Sequence, residues 1–139
     1  MSRRAVADTG PLVATVRKRE KAHKRCVSAL KELRAPLLTC WPVLTEVAWL
    51  LRKEPEGMKA LGGLIRSGSV KLVELDEAAL HWIIEFLERY ASAEAQMADA
   101  ALMYIAEREG IDTVFTLDRR DFSVYRTTDG RALNIVPEA

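Results

Sequence analysis

The chain has 139 residues, close to half of them apolar and under a third charged, with a net charge of +1. That composition suits one globular domain spanning residues 1–139 and argues against a disordered chain. No apolar run approaches the roughly 20 residues of a membrane span, and the start, Met1 to Asp8, has too short an apolar stretch for a signal peptide. A cytoplasmic protein is therefore expected, and the two isolated cysteines and two histidines speak against a zinc knuckle, a CxxC redox motif or a histidine-rich metal site.

In chain order, Ala5-Val6-Ala7 reads as a short buried strand, and Asp8-Thr9-Gly10-Pro11 carries helix-start signals ahead of Leu12. A basic helix follows from about Glu20 to Arg34, with Ala22, Cys26, Ala29, Leu30 and Leu33 on its apolar stripe. Pro36 to Cys40 is a second strand, and Pro42 opens a helix running to about Lys53. A glycine-interrupted helix covers roughly Gly57 to Arg66. Val70 to Leu75 is a third strand, Asp76 caps a helix to Tyr90, and another helix runs from about Ala95 to Glu109, ending at Gly110. Thr113 to Thr116 is a fourth strand, and Leu133 to Val136 is a candidate fifth. Short apolar strands alternating with helices predict βαβ units: an α/β/α sandwich around a mostly parallel sheet of four to five strands. In such sheets ligands bind beyond the carboxyl ends of the strands, at the topological switch point.

Four acids stand where acids are out of place. Asp8 ends Ala5-Val6-Ala7, and Glu46 interrupts an apolar helix. Asp99 opens Ala100 to Ile105, and Asp118 follows Val114-Phe115-Thr116-Leu117. An ionised carboxylate buried without a partner is costly, so their placement predicts that they converge and that a cation neutralises them. Asp8, Asp99 and Asp118 each precede a helix and could simply be N-caps. Glu46 has no such role, and no Lys or Arg stands three or four residues to either side. Hard oxygen ligands in this number suit Mg²⁺ or Mn²⁺. With no candidate Ser, Cys or His nucleophile, the acids favour attack by water that a metal activates, and hence phosphodiester hydrolysis.

The segments Val6 to Ala14, Trp41-Pro42-Val43-Leu44-Thr45-Glu46-Val47, Ala98 to Leu102 and Phe115-Thr116-Leu117-Asp118-Arg119-Arg120-Asp121-Phe122 resemble, in order and spacing, the successive motifs of the PIN-domain ribonucleases. Among these the chain is most similar to the VapC-type toxins of prokaryotic toxin–antitoxin pairs. The resemblance implies that Asp8, Glu46, Asp99 and Asp118 bind metal, with Asp121 as a further direct or water-mediated ligand. Thr9 and Thr116 match hydroxyl positions that help hold the site. It also implies endonucleolytic cleavage of RNA to a 5′-phosphate and a 3′-hydroxyl, a homodimer and a cognate antitoxin. One departure is Gln96, where many relatives carry an acid three residues before the one matched by Asp99; Glu94 is near but out of register. That loss bears on the second metal site and keeps open a second reading, a catalytically weak PIN-fold binding module.

Other phosphoryl enzymes fit less well. A haloacid-dehalogenase-type phosphatase needs an Asp where Gly10 stands, the adjacent acids of a receiver domain are missing, and no GxxxxGK[ST] or GxGxxG is present. Arg119 and Arg120, beside Asp118, are the candidates for RNA contact. The basic run Arg17 to Arg25 is either an RNA path or a solvated helix face. Residues 1–34 hold ten Lys or Arg against three acids, and the remainder eleven against seventeen. The helix Asp76–Tyr90 carries apolar residues over about 200°, wider than the roughly 100° that core packing alone requires. It is therefore either deeply buried or a subunit interface using Trp82 or Phe86. An antitoxin segment is expected to place an Arg among the four acids and to lie in an apolar groove walled by Trp41, Trp49 and the Gly57–Arg66 helix.

Overall fold

A computed structural model describes residues 2–139. Five strands form one parallel sheet: β1 (Val6–Ala7), β2 (Leu37–Thr39), β3 (Val70–Leu72), β4 (Thr113–Phe115) and β5 (Asn134–Val136), in the order β3-β2-β1-β4-β5. Every residue of β1, β2 and β4 is buried. Successive side chains of a strand point to opposite faces, so both faces of the sheet centre are covered, as the α/β/α reading requires. The helices are α1 (Thr9–Val16), α2 (His23–Glu32), α3 (Trp41–Leu50), α4 (Pro55–Arg66), α5 (Glu77–Arg89), α6 (Met97–Glu109) and α7 (Arg119–Val124).

From β1 the chain steps outward to β2 and β3 on one side, and β4 and β5 extend the other side. The switch point therefore lies between β1 and β4, whose register pairs Val6 with Val114 and Ala7 with Phe115. Asp8 follows β1 at that edge, and Thr116 to Asp118 follow β4. The alanine-rich helix α6 packs on β1 and against α3 and α5. Ala98, Ala100, Ala101, Leu102, Met103, Ile105 and Ala106 are all buried, and the small side chains let the backbone of α6 approach its neighbours closely. Gly110 ends the helix at φ 67°, a left-handed conformation that a glycine adopts without a Cβ penalty.

Several boundaries differ from the sequence expectation, each for a local reason. The basic helix is shorter at both ends: Glu20 is drawn into a turn by Arg17, whose guanidinium also binds Glu54 and the Leu50 carbonyl, and Leu33 is extended, with the Arg34 amide donating to the Arg3 carbonyl. β3 stops at Leu72 rather than Leu75. It is an edge strand whose sole neighbour, β2, ends at Thr39 where the chain turns into α3. Pro55, at the first position of α4, opens that helix two residues ahead of Gly57. Between α5 and α6 a single 3-10 turn, Ala91–Ala93, takes residues assigned to neither.

Candidate active site

The bowl beyond the carboxyl ends of β1 and β4 has a volume of about 510 Å³. Its walls bring together all four out-of-place acids, Asp8, Glu46, Asp99 and Asp118, with Asp121, Glu94, Gln96, Thr9, Gly10 and Leu117. Six lining residues are acids and none is basic. These side chains come from five places in the chain, the end of β1, α3, the turn before α6, α6 itself and the segment opening α7, so only the fold could assemble them.

Hydrogen bonds from buried hydroxyls hold the acids in place. Thr116 Oγ1 accepts from the Asp118 amide at 2.9 Å and donates to Asp8 Oδ2 at 2.8 Å, joining the two strand-end acids through one hydroxyl. Thr9 Oγ1 donates to Glu46 Oε2 at 3.0 Å. Each of the two threonines thus touches one acid of the bowl. Tyr125, which the sequence reading missed, donates from its phenol to Asp99 Oδ2 at 2.8 Å. Nothing in the sequence marks it, because a lone tyrosine near a short helix reads as core.

Capping explains only part of the pattern. Asp118 is a true N-cap, accepting from the Asp121 amide at 3.0 Å. Asp8 occupies the N-cap position of α1, yet its side chain makes no cap bond and turns to Thr116 instead. Asp99 sits at the third position of α6, reaching back to the Gln96 amide at 3.5 Å.

Burial and mutual repulsion set the electrostatics. Asp8 is 8% exposed, and its carboxyl is raised from 3.8 to about 6. Desolvation is the main cause; the Thr116 hydroxyl and the Thr9 backbone amide oppose it, and the charges of Asp99 and Glu46 add to it. Asp99 is also raised, by burial first and then against the Tyr125 bond by Asp118 and Asp121. Asp121 is raised by burial and by Asp118, while Arg120 lowers it. Burial and the adjoining Asp99 carboxylate raise the Tyr125 phenol, so it stays a proton donor at neutral pH.

Such a set of acids fits a divalent cation of the hard, oxygen-preferring kind. A buried acid held above its ordinary pKa first by desolvation and further by neighbouring carboxylates is an anionic site short of a counter-charge. Among the described residues no three His, Cys, Asp or Glu side chains are already drawn together as a ligand cage. The acids instead line an open bowl, in which Asp8, Glu46, Asp99 and Asp118 are each anchored to a neighbouring donor.

Other expected residues fall elsewhere. Arg119 does not face the bowl: its guanidinium donates to the Pro137 carbonyl at 2.8 Å and lines a separate hollow with Arg3, Glu32 and Glu138. Arg120 is exposed and near enough to Asp121 to stabilise its charge. Arg17, at the head of the basic run, is bound in its network with Glu20 and Glu54, while Lys18, Lys21, Lys24 and Arg25 are exposed. Gln96 is the N-cap residue of α6, at the bowl rim. Glu94 reaches the same bowl because it ends the 3-10 turn at φ 55°, a left-handed conformation that linear sequence register could not reveal.

The expectations for α5 and the groove need correction. Phe86 is 1% exposed and packs on Trp82, Tyr90 and Tyr125, and the half-buried Trp82 donates to Glu107. Phe86 belongs to the interior and Trp82 packs partly against it, because α5 faces α6 through them. The apolar side chains that α5 leaves in water are Leu80 and Ile84, at 43% and 42% exposure. The apolar hollow next to them is lined by Trp41, Pro42, Val73, Leu75, Leu80, Ile83 and Met97, with neither Trp49 nor α4 in its wall. Trp49 lies at the far end of α3, under the Arg52 guanidinium at 3.9 Å.

A parallel sheet ordered 3-2-1-4-5 with a carboxylate bowl at its switch point is the arrangement of a PIN domain. The PIN-domain family profile matches residues 5–127, and the chain belongs to that family. Over 135 residues it is 25% identical to Ribonuclease VapC26 of Mycobacterium tuberculosis, an alignment covering 95% of this chain and 99% of the relative. Its fold is also that of VapC20 from M. tuberculosis, described as a sarcin-ricin-loop-cleaving toxin. The TM-score is 0.74 at 18% identity, covering 84% of this chain and 91% of that one. A toxin–antitoxin complex from Klebsiella pneumoniae superimposes with a TM-score of 0.67 at 14% identity, over 86% and 91% of the two chains. For VapBC2 of Rickettsia felis, bound to a promoter DNA fragment, the values are 0.62 and 12%, over 94% and 96%.

Proposed function

We propose that this PIN domain is a Mg²⁺- or Mn²⁺-dependent endoribonuclease and the toxin of a toxin–antitoxin pair. The observation that carries the reading is the bowl itself, with six acids, no basic residue in its wall, and a position at the β1/β4 switch point. The relative named a ribonuclease and the structural neighbours named as toxins support the same assignment.

Asp8, Glu46, Asp99 and Asp118 would hold the ion, with Asp121 beside Asp118 as a further ligand. A divalent ion there supplies a Lewis acid that makes water a competent nucleophile near neutral pH and offsets charge on the leaving oxygen. The chain's own part is to orient the oxygens. Thr116 fixes Asp8, and Thr9 restrains Glu46. Arg120 at the rim and the exposed lysines before and within α2 would attract the RNA backbone, since phosphate contacts supply most sequence-independent affinity. The partners proposed are RNA, a second copy of the chain and an antitoxin. The antitoxin would place an Arg in the bowl, where a planar fork can meet two carboxylate oxygens.

The test is a cleavage assay on RNA. Excess chelator should stop cleavage and Mg²⁺ or Mn²⁺ restore it. Asp8→Asn, Asp99→Asn and Asp118→Asn should each abolish it in folded protein. Robust cleavage in chelator, or by two of the three variants, would refute the assignment. Gln96 lends weight to the alternative of a catalytically weak PIN-fold binding module, and the same assay separates the two. If Gln96 weakens an ion site, Gln96→Asp should lower the Mg²⁺ concentration that half-saturates cleavage.

A further inference from the structure

We infer that Tyr125 is a positioning residue for the bowl, aiming the Asp99 carboxylate at the metal through a hydrogen bond to one of its two oxygens. The inference rests on the proposed metal-dependent function.

The tyrosine is fully buried, and among the described residues its phenol has one hydrogen-bonding partner, Asp99 Oδ2 at 2.8 Å. An ionised carboxylate only accepts, so the phenol is the donor. The Gln96 amide lies on the same oxygen at 3.5 Å, so both donors engage Oδ2. The carboxylate cannot rotate freely about its last bond while that oxygen is held.

The ring that carries the hydroxyl is itself locked. Phe86, Tyr90 and Phe122 surround it edge-on, with centroids 5.1, 5.2 and 5.2 Å away. The Tyr90 hydroxyl accepts from the Arg126 amide at 3.0 Å, pinning the next residue in the chain. The Tyr125 amide donates to the Asp121 carbonyl at 3.2 Å. α7 therefore has a bowl acid at one end, Asp118, and at the other a phenol reaching a second bowl acid on α6. A six-residue helix set between two site acids fixes their relative position.

A tyrosine filling the core could satisfy its hydroxyl on any backbone carbonyl. This one uses a carboxylate in the wall of the bowl, which is the geometry by which outer groups orient metal ligands; losing such a partner typically weakens metal affinity by about 10- to 100-fold.

The experiment is direct Mn²⁺ binding to RNA-free protein, followed by electron paramagnetic resonance, with melting temperature measured in parallel. Tyr125→Phe keeps the ring and removes one oxygen; it should raise the Mn²⁺ dissociation constant by about 10- to 100-fold. Leu61→Ala, in α4 and outside the ring cluster, opens the core elsewhere and should lower the melting temperature while leaving Mn²⁺ affinity within about twofold of the parent. Asp99→Glu keeps the charge but carries it past the Tyr125 hydroxyl, and should weaken binding about as much as Tyr125→Phe does. Parental affinity in either Tyr125→Phe or Asp99→Glu would overturn the inference, and so would an equal loss in Leu61→Ala. Asp99→Asn separates this inference from the reading beneath it: undiminished Mn²⁺ binding in that variant would remove Asp99 from the metal site altogether.

Discussion

At the residue scale, Asp8 shows a local sequence signal and a tertiary role diverging. Its position before Thr9-Gly10-Pro11 is that of a helix cap, yet its carboxylate bonds to Thr116, 108 residues away. Burial raises it to about 6 from 3.8, which fixes the sign of a pH effect. Between about pH 4 and pH 6 the folded metal-free protein holds a proton on Asp8 that the unfolded chain has released. Stability should therefore fall as pH rises through that window, by roughly 3 kcal/mol from this group, and then level off. Asp99, raised for the same leading reason, adds a slope of the same sign. Chemical denaturation of metal-free protein from pH 4 to 7 should show this fall, and Asp8→Asn should flatten it; an unchanged slope would remove Asp8 as its source. Mn²⁺ should raise the melting temperature of the parent, since a ligand that binds only the folded state stabilises it. The same addition should do much less for Asp8→Asn, as scanning calorimetry would show.

At the scale of elements, α4 and α6 use glycine in opposite ways. Gly62 and Gly63 lie inside α4, and a Cβ at either would meet no atom within 4 Å. Glycine in a helix interior costs about 0.5–1 kcal/mol relative to alanine, through the greater freedom of the unfolded chain. Gly62→Ala and Gly63→Ala should each raise stability by about that amount in denaturant titrations, and a loss would mean that α4 is not the regular helix described. Gly110 sits at φ 67°, so Gly110→Ala should instead destabilise by about 1 kcal/mol. The contrast separates a glycine the backbone requires from two it does not.

At the scale of the molecule, Trp41, Leu80 and Met97 are all more than 40% exposed and line one apolar hollow beside α5 and the start of α6, with Ile84 exposed one turn further along α5. Met97 directly follows Gln96, a bowl residue, so the hollow lies close to the acids. If the proposed homodimer uses this face, Leu80→Glu with Ile84→Glu should convert it to a monomer. Both side chains are already exposed in the monomer, so its stability should change little. Sedimentation equilibrium gives the answer; an unaltered mass would place the interface elsewhere.

How much was legible in the sequence follows from which interactions are local. The five strands, the main helices and the parallel sheet could be read because apolar runs, proline and glycine signals and capping residues act within a few positions. Asp8, Glu46, Asp99 and Asp118 could be picked out because each breaks an apolar stretch, a conflict visible in one dimension. Tyr125, Glu94 and the bond from Thr116 to Asp8 could not be read that way. They depend on a left-handed turn and on contacts across 26 and 108 positions. Likewise the periodicity of α5 gave the width of its apolar face, but only packing against α6 decided that Phe86 goes inside while Leu80 and Ile84 stay in water. Periodicity records how much apolar surface a helix carries, whereas the share that is covered depends on how many neighbours the fold supplies.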